Sequence, residues 1–305
     1  MSRYARLLRS SAFALTAAIS APLAPLAVAA QAPAFDSPMV SPDWLSQHLN
    51  DPGLVVVHVA SNRREYATGH IPGARMLWFG ALAPSNPDLT SELPTVAQID
   101  SLIESLGISD NSRVVVYSPQ LGPSVARAYM TFDYVGFGGN VAVLDGGFNT
   151  WKERGLAVST EPATGKRGKF TPRVNASVVV TGDFVNANLD KPGVKILDAR
   201  AATFYNGEAG GQPRPGHIPS AGSLPFMSVV DEKGMLKSRE AIAQLLTDAG
   251  VKPGDRVVTY CHIGQQGSLL YLASRYAGHQ TSLYDGSFED WSGRPELPLV
   301  GPVKK

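Results

Sequence analysis

From about residue 40 the chain is written twice, and a repeat of roughly 140 residues means two similar folding units rather than one large one. Ile99, Leu102, Ile103 and Leu106 form an apolar stripe at helical spacing that ends on Gly107, a natural helix cap. Shifted by 143 positions, Ile242, Leu245, Leu246 and Ala249 end on Gly250. Each stripe then passes through a short polar turn into an apolar run, Arg113 to Tyr117 and Arg256 to Tyr260. Gly-His-Ile-Pro stands at Gly69 to Pro72 and again, 147 later, at Gly216 to Pro219. Leu144-Asp145-Gly146-Gly147-Phe148 with Trp151 is answered 140 later by Tyr284-Asp285-Gly286-Ser287-Phe288 with Trp291. The unequal shifts mark small loop insertions, the clearest being Glu208 to Pro215.

Within each copy short β-rich runs alternate with helical patterns. They are Leu54 to Val59, Arg113 to Tyr117 and Val141 to Leu144, then Val194 to Asp198, Arg256 to Tyr260 and Thr281 to Tyr284. Such alternation predicts an α/β class, parallel strands covered by helices. Ser159 to Asn175, rich in Thr, Gly, Pro and basic residues and without apolar period, is the expected linker. The organisation expected is residues 1–30 as an export signal, 31–158 as a first domain, 159–175 as linker and 176–305 as a second domain.

All charge in the first thirty residues comes from Arg3, Arg6 and Arg9, and an apolar stretch runs from Leu7 to Ala30. This reads as an export signal, with Ala27, Ala29 and Ala30 fitting cleavage after Ala29 or Ala30. The alternative, a permanent anchor, is weakened by Pro22 and Pro25. No Cys stands nearby to carry a lipid, and nothing else is apolar for long enough to cross a bilayer. A soluble periplasmic or secreted protein is expected, with no membrane attachment after cleavage. Without the three arginines, 24 basic residues face 26 acidic ones, which argues against a nucleic-acid partner. With 44% apolar and 17% charged residues the chain as a whole has globular composition.

There is one cysteine, Cys261, so no intrachain disulfide is available. Burial as a small core residue is its bland reading. The repeat helps decide: what both copies keep serves the fold, and what one copy alone has can serve a reaction. His70 and His217 belong to a shared turn and are read as structural, as are Asp145 and Asp285 with their Phe and Trp neighbours. Cys261 has Ser118 as its counterpart. It follows a predicted buried strand, Arg256 to Tyr260, and precedes a predicted helix, Gly267 to Tyr276, with Leu269, Leu272, Ala273 and Tyr276 inward. At such a junction unpaired helix N–H groups favour an anion, here the thiolate. Gly264 lets the loop curl and Gly267 lets backbone come close.

On these features the chain resembles the rhodanese-like sulfurtransferases in their tandem two-domain form. The matching residues are the repeated Gly-His-Ile-Pro, the Asp-Gly-Gly/Ser-Phe turn with its Trp, the strand end Thr259-Tyr260-Cys261, and the loop Cys261 to Gln266. The resemblance implies two tandem rhodanese-like domains, each a mainly parallel sheet flanked by helices, with the first catalytically silent. It implies a Cys261 persulfide formed from a small anionic sulfur donor such as thiosulfate and discharged to cyanide or a thiol, with no metal or organic cofactor. The N–H groups from His262 through Ile263, Gly264, Gln265 and Gln266 to Gly267 are then expected to cradle the sulfur. Asp198 and Arg200 end the first strand of the second copy, where Val59 and Ser61 stand in the first. They are candidate pocket residues, with a surface ion pair as the alternative.

His262 and Ile263 match neither the basic residues that follow the cysteine in thiosulfate-using members nor the small polar ones of mercaptopyruvate-using members, so the donor stays open. His262, with a reference pKa of about 6.5, is mostly neutral at pH 7. Gln265 and Gln266 either donate to an oxyanion or face solvent. A cysteine phosphatase needs an Arg where Gly267 stands, and a cysteine hydrolase needs a positioned base that His262 and His279 do not obviously supply. A non-catalytic sulfur-carrier or redox-sensing module remains the rival of a different class. Short-spaced zinc ligands and a Gly-rich nucleotide fingerprint are both missing from the sequence. Monomer and dimer both stay open.

Overall fold

A computed structural model describes residues 34–302; the expected export signal lies outside the described residues. In the first domain the order is β1 (Met39–Val40), α1 (Pro42–His48), β2 (Leu54–Ala60), α2 (Arg63–Ala67), β3 (Arg75–Trp78), α3 (Val96–Ser105), β4 (Arg113–Tyr117), α4 (Pro123–Tyr134), β5 (Val141–Leu144) and α5 (Gly147–Glu153). The second repeats it with β6 (Val179–Val180), α6 (Gly182–Ala187), β7 (Val194–Asp198), α7 (Ala202–Tyr205), β8 (Gly222–Ser223), α8 (Arg239–Asp248), β9 (Arg256–Tyr260), α9 (Gln265–Tyr276), β10 (Thr281–Tyr284) and α10 (Ser287–Gly293). Each sheet is wholly parallel, ordered β1-β5-β4-β2-β3 and β6-β10-β9-β7-β8. The α/β tandem read from the repeat is therefore the fold.

Central strands β4 and β9 are buried from their second residue onward, as parallel strands covered on both faces must be. Helix starts follow their caps: Thr95 and Gln98 close a full capping box on α3, and the Ser238 hydroxyl accepts the Ala241 amide at 3.2 Å on α8. The shared histidines are structural in both copies. His70 stacks on Tyr66 at 3.8 Å and His217 on Tyr205 at 3.7 Å, each with Nδ1 within 2.9 Å of that tyrosine's carbonyl.

Strand pairing corrects one reading of the repeat. His58 lies opposite Tyr117 just as Asp198 lies opposite Tyr260, so the counterparts of Asp198 and Arg200 are His58 and Ala60 rather than Val59 and Ser61. The single slip arises because the shift between copies changes at each loop. The stretch between α5 and β6 has no helix or strand and runs along the first domain, where Gly168 N–H donates to Glu104 O and Arg173 N–H to Val135 O.

One apolar cluster joins the two halves: Val125, Tyr129 and Phe132 of α4 share it with Leu269, Tyr271 and Leu272 of α9. The helices that follow Ser118 and Cys261 therefore pack on one another. Among the described residues, no helix is long and apolar enough to cross a membrane.

Candidate active site

The cysteine occupies the handover from β9 to α9. Gly264, the residue before the helix, takes φ +80°, a left-handed turn that reverses the loop. That turn brings the amides of Ile263, Gln266 and Gly267 close enough to the Cys261 sulfur to favour its ionised form. Gly267 must lack a side chain, since a Cβ there would stand 2.9 Å from Leu283 Cδ1 and 3.2 Å from the Tyr260 carbonyl carbon. From the other side α10 grips the loop: Phe288 N–H donates to Cys261 O at 3.0 Å and Glu289 N–H to His262 O at 2.9 Å.

Cys261 is fully buried. Burial pushes its thiol up, the three amides pull it down, and the nearby Asp198 charge pushes it up again; the result lies above the ordinary value. The junction thus supplies the expected cradle, but an enclosed sulfur loses more hydration than three amides return. The expectation of a thiol acidified below the free value is corrected accordingly.

Asp198 and Arg200 form a buried pair rather than a surface one, with Nε to Oδ1 at 2.9 Å and Nη2 to Oδ2 at 2.6 Å. Arg200 also donates to Gly216 O at 2.7 Å and lies 3.9 Å over the Phe288 ring. Tyr260 completes the cluster by donating to Asp198 Oδ2 at 2.6 Å. Much of the guanidinium is therefore committed to structure beneath the loop.

His262 is half-buried and meets Phe204 edge to face at 4.5 Å; burial and then the Arg200 charge lower its pKa, so it remains neutral at pH 7. Ile263 is half-buried beside it. Gln265 Nε2 lies 3.5 Å from Ser91 Oγ of the first domain, and Gln266 Oε1 is buried with no protein partner. Among the described residues, no group of three or more His, Cys, Asp or Glu side chains is placed to hold a metal ion.

Two features escaped sequence reasoning. Ser287 takes φ +53°, unusual for a residue with a side chain, and its hydroxyl accepts the Cys261 amide at 3.1 Å while donating to Tyr284 O at 2.8 Å. Gly147 stands there in the first copy, where a Cβ would come 2.5 Å from Ser118 O. The Gly-to-Ser difference within the repeated turn was the available signal. The second is the segment after β3, which crosses to the other domain: Thr90 N–H donates to Glu289 at 2.8 Å and Leu93 N–H to Asp285 at 2.8 Å. Nothing in its composition announces that reach.

The first copy lacks the cradle as well as the thiol. The loop after Ser118 is one residue longer and is shaped differently: Ser118 donates to Gln120 O at 2.6 Å, and Gly122, which precedes α4 as Gly264 precedes α9, is extended rather than left-handed.

A family model described as Rhodanese-like domain matches residues 41–154 and 181–294. The sulfur carrier protein TtuD of Thermus thermophilus is 31% identical over 280 residues, covering 86% of this chain and 96% of that one. A putative thiosulfate sulfurtransferase, SseA of Mycobacterium bovis, is 30% identical over 277 residues, covering 86% and 90%. Among solved structures, the 3-mercaptopyruvate sulfotransferase SseA of Escherichia coli superposes with a TM-score of 0.72 at 27% identity, covering 82% of this chain and 98% of that one.

Proposed function

The chain belongs to the rhodanese-like domain family and is a rhodanese-type sulfurtransferase, and from that premise we propose that Cys261 carries the sulfur, with thiosulfate as donor. The thiolate attacks the outer sulfur of thiosulfate; that sulfur's bond to the sulfite group breaks, and sulfite leaves with the electron pair. The terminal sulfur of the resulting persulfide carries negative charge. The amides of Ile263, Gln266 and Gly267 are fixed donors for it and need no reorganisation as charge moves outward. A second nucleophile, cyanide or a thiol, then attacks the terminal sulfur and returns the Cys261 thiolate.

The observation that carries this reading is the chain's single cysteine seated beside three amides in a loop that the cysteine-free copy shapes differently. His262, Ile263 and Gln265 border the loop, where a neutral His262 supplies hydrogen bonding rather than charge. Asp198 and Arg200 act from beneath by fixing Tyr260, the residue before the nucleophile. The arginine-led apolar leader supports action outside the inner membrane.

A carrier role is the second reading, favoured by the complete burial of Cys261. Incubation with thiosulfate and cyanide separates the two. Catalytic thiocyanate release, abolished by Cys261→Ser, is expected of the transferase, whereas one sulfur added per chain without turnover is the result for a carrier. Full turnover by C261S would remove Cys261 from the mechanism.

A further inference from the structure

A buried cation of the cysteine-free domain sits directly behind the catalytic loop. Arg127, on α4, is wholly buried and makes a two-pronged pair with Asp285 at the β10–α10 turn of the other domain, Nη1 to Oδ1 and Nη2 to Oδ2, the latter at 3.0 Å. Its Nε donates to Leu82 O at 3.2 Å. Asp285 takes a further bond from Leu93 N–H, so both ends of the pair are anchored.

Gly264 rests against this pair. A Cβ at Gly264 would collide with Asp285 Oδ1, stand 2.7 Å from Asp285 O and lie 3.1 Å from Arg127 Nη1. The left-handed turn that aims the three amides at sulfur is therefore seated on an ion pair whose positive half comes from the other domain.

The repeat supplies the control. At the mirror position Asp145 accepts Leu236 N–H at 2.9 Å, as Asp285 accepts Leu93 N–H. Among the described residues no arginine pairs with it: the matching turn of α9 carries Leu269 and Leu270, and Asp145 has its pKa raised, chiefly by burial. The arginine is present only where the facing loop holds a cysteine. A cation needed for domain packing alone would serve either side of the seam.

We infer that Arg127 is a positioning residue for sulfur transfer: through Asp285 it seats Gly264 and keeps the amides of Ile263, Gln266 and Gly267 aimed at Cys261. The inference rests on Cys261 being the nucleophile. Without Arg127 the Asp285 carboxylate is stranded beside Glu92, Glu289 and Asp290, and must either take a proton or move toward water. Either response unseats the loop or adds negative charge next to a thiolate already opposed by Asp198.

The test uses the full chain, whose single thiol makes alkylation by iodoacetamide a direct report on Cys261. Rates are measured across pH beside steady-state thiosulfate–cyanide turnover, with thermal unfolding as the stability record. Arg127→Met is expected to slow alkylation at about pH 8 and to lower kcat, each about tenfold or more, while KM for thiosulfate stays within about twofold. Adding Asp285→Asn to R127M removes the stranded charge and is expected to restore part of both rates. If R127M is recovered unfolded, Arg127→Lys decides, because it keeps the charge but not the two-pronged grip; a lowered kcat in folded R127K supports the assignment. Wild-type alkylation and kcat in whichever variant is folded overturn it, as does a loss that merely tracks the unfolded fraction. Turnover by C261S sinks the nucleophile assignment itself, a result that no Arg127 variant can mimic.

Discussion

Tyr260 donates a hydrogen bond from its hydroxyl to Asp198 at 2.6 Å across adjacent strands, while at the same two positions of the first domain Tyr117 and His58 stack with ring centroids 4.7 Å apart. Both phenols also accept a backbone amide, Ile218 at 3.2 Å and Ile71 at 3.0 Å. The tyrosine is thus a shared brace, and the partner beneath it is what distinguishes the two copies.

Asp198→Asn isolates that difference. The carboxylate answers Arg200, which is almost wholly enclosed, and an amide in its place leaves a buried guanidinium without a counter-charge. A loss of about 3–5 kcal/mol is expected, read from urea unfolding at neutral pH. A loss under about 1 kcal/mol, the range of an exposed pair, would show that water reaches Arg200.

Ser287→Gly separates stability from reactivity. Glycine relieves a strained backbone worth about 1–2 kcal/mol and gives up one hydrogen bond of comparable net value. The melting temperature is expected to stay within about 3 °C of the parent, by the usual scaling for a domain of this size. Thiocyanate release is expected to fall severalfold, since the Cys261 amide loses its fixed acceptor. Unchanged turnover would make the hydroxyl dispensable.

Much of this was legible in the residues. The duplication gave the two sheets, and central strands such as Arg113–Tyr117 and Arg256–Tyr260 are those the apolar runs mark. The Ser118–Cys261 contrast pointed to the loop. What a single copy cannot encode is what the other copy does to it. Leu270 and Tyr271 were not placed among the inward residues of α9 because its outer face should meet water; they are buried because α4 covers that face. For the same reason nothing in the residues around Arg127 points to its partner Asp285 across the seam. The thiol's upward shift follows from the depth of enclosure, which no spacing of glycines reports.

Glu92 makes stability pH-dependent at the seam. Burial first, then the charge of Asp285, lift its carboxyl to about 7; Arg127 opposes them, and Asp290 and Glu289 add to the rise. A raised carboxyl means the folded chain holds a proton that the unfolded chain has released. The associated stability is fully present below about pH 4.5 and is lost as pH climbs through about 7. Glu92→Gln carries no such titration, so the difference in melting temperature, variant minus parent, should grow in the variant's favour from about pH 5 to pH 8. A difference that stays flat over that range would mean that Glu92 titrates as an exposed side chain.

His58 acts at the other end of the scale. Its imidazole lies buried 3.3 Å from Glu65, a distance that suggests an ion pair, yet burial foremost, and then the charge of His70, hold its pKa down to about 4. The ring is therefore neutral in the folded chain at pH 7, and neither nitrogen has a hydrogen-bond partner in the protein. Because the folded value is depressed below the 6.5 of an ordinary histidine, the stability tied to it is present above that pH and is lost as pH falls through about 4. Full loss corresponds to about 3 kcal/mol at 1.36 kcal/mol per unit. His58→Phe keeps an aromatic ring against Tyr117 and removes the proton-binding site, so acid unfolding followed by circular dichroism should move to lower pH, with little change at about pH 8. An acid midpoint that does not move would show that His58 and Glu65 already share a proton as a charged pair, and that burial is not what governs this ring.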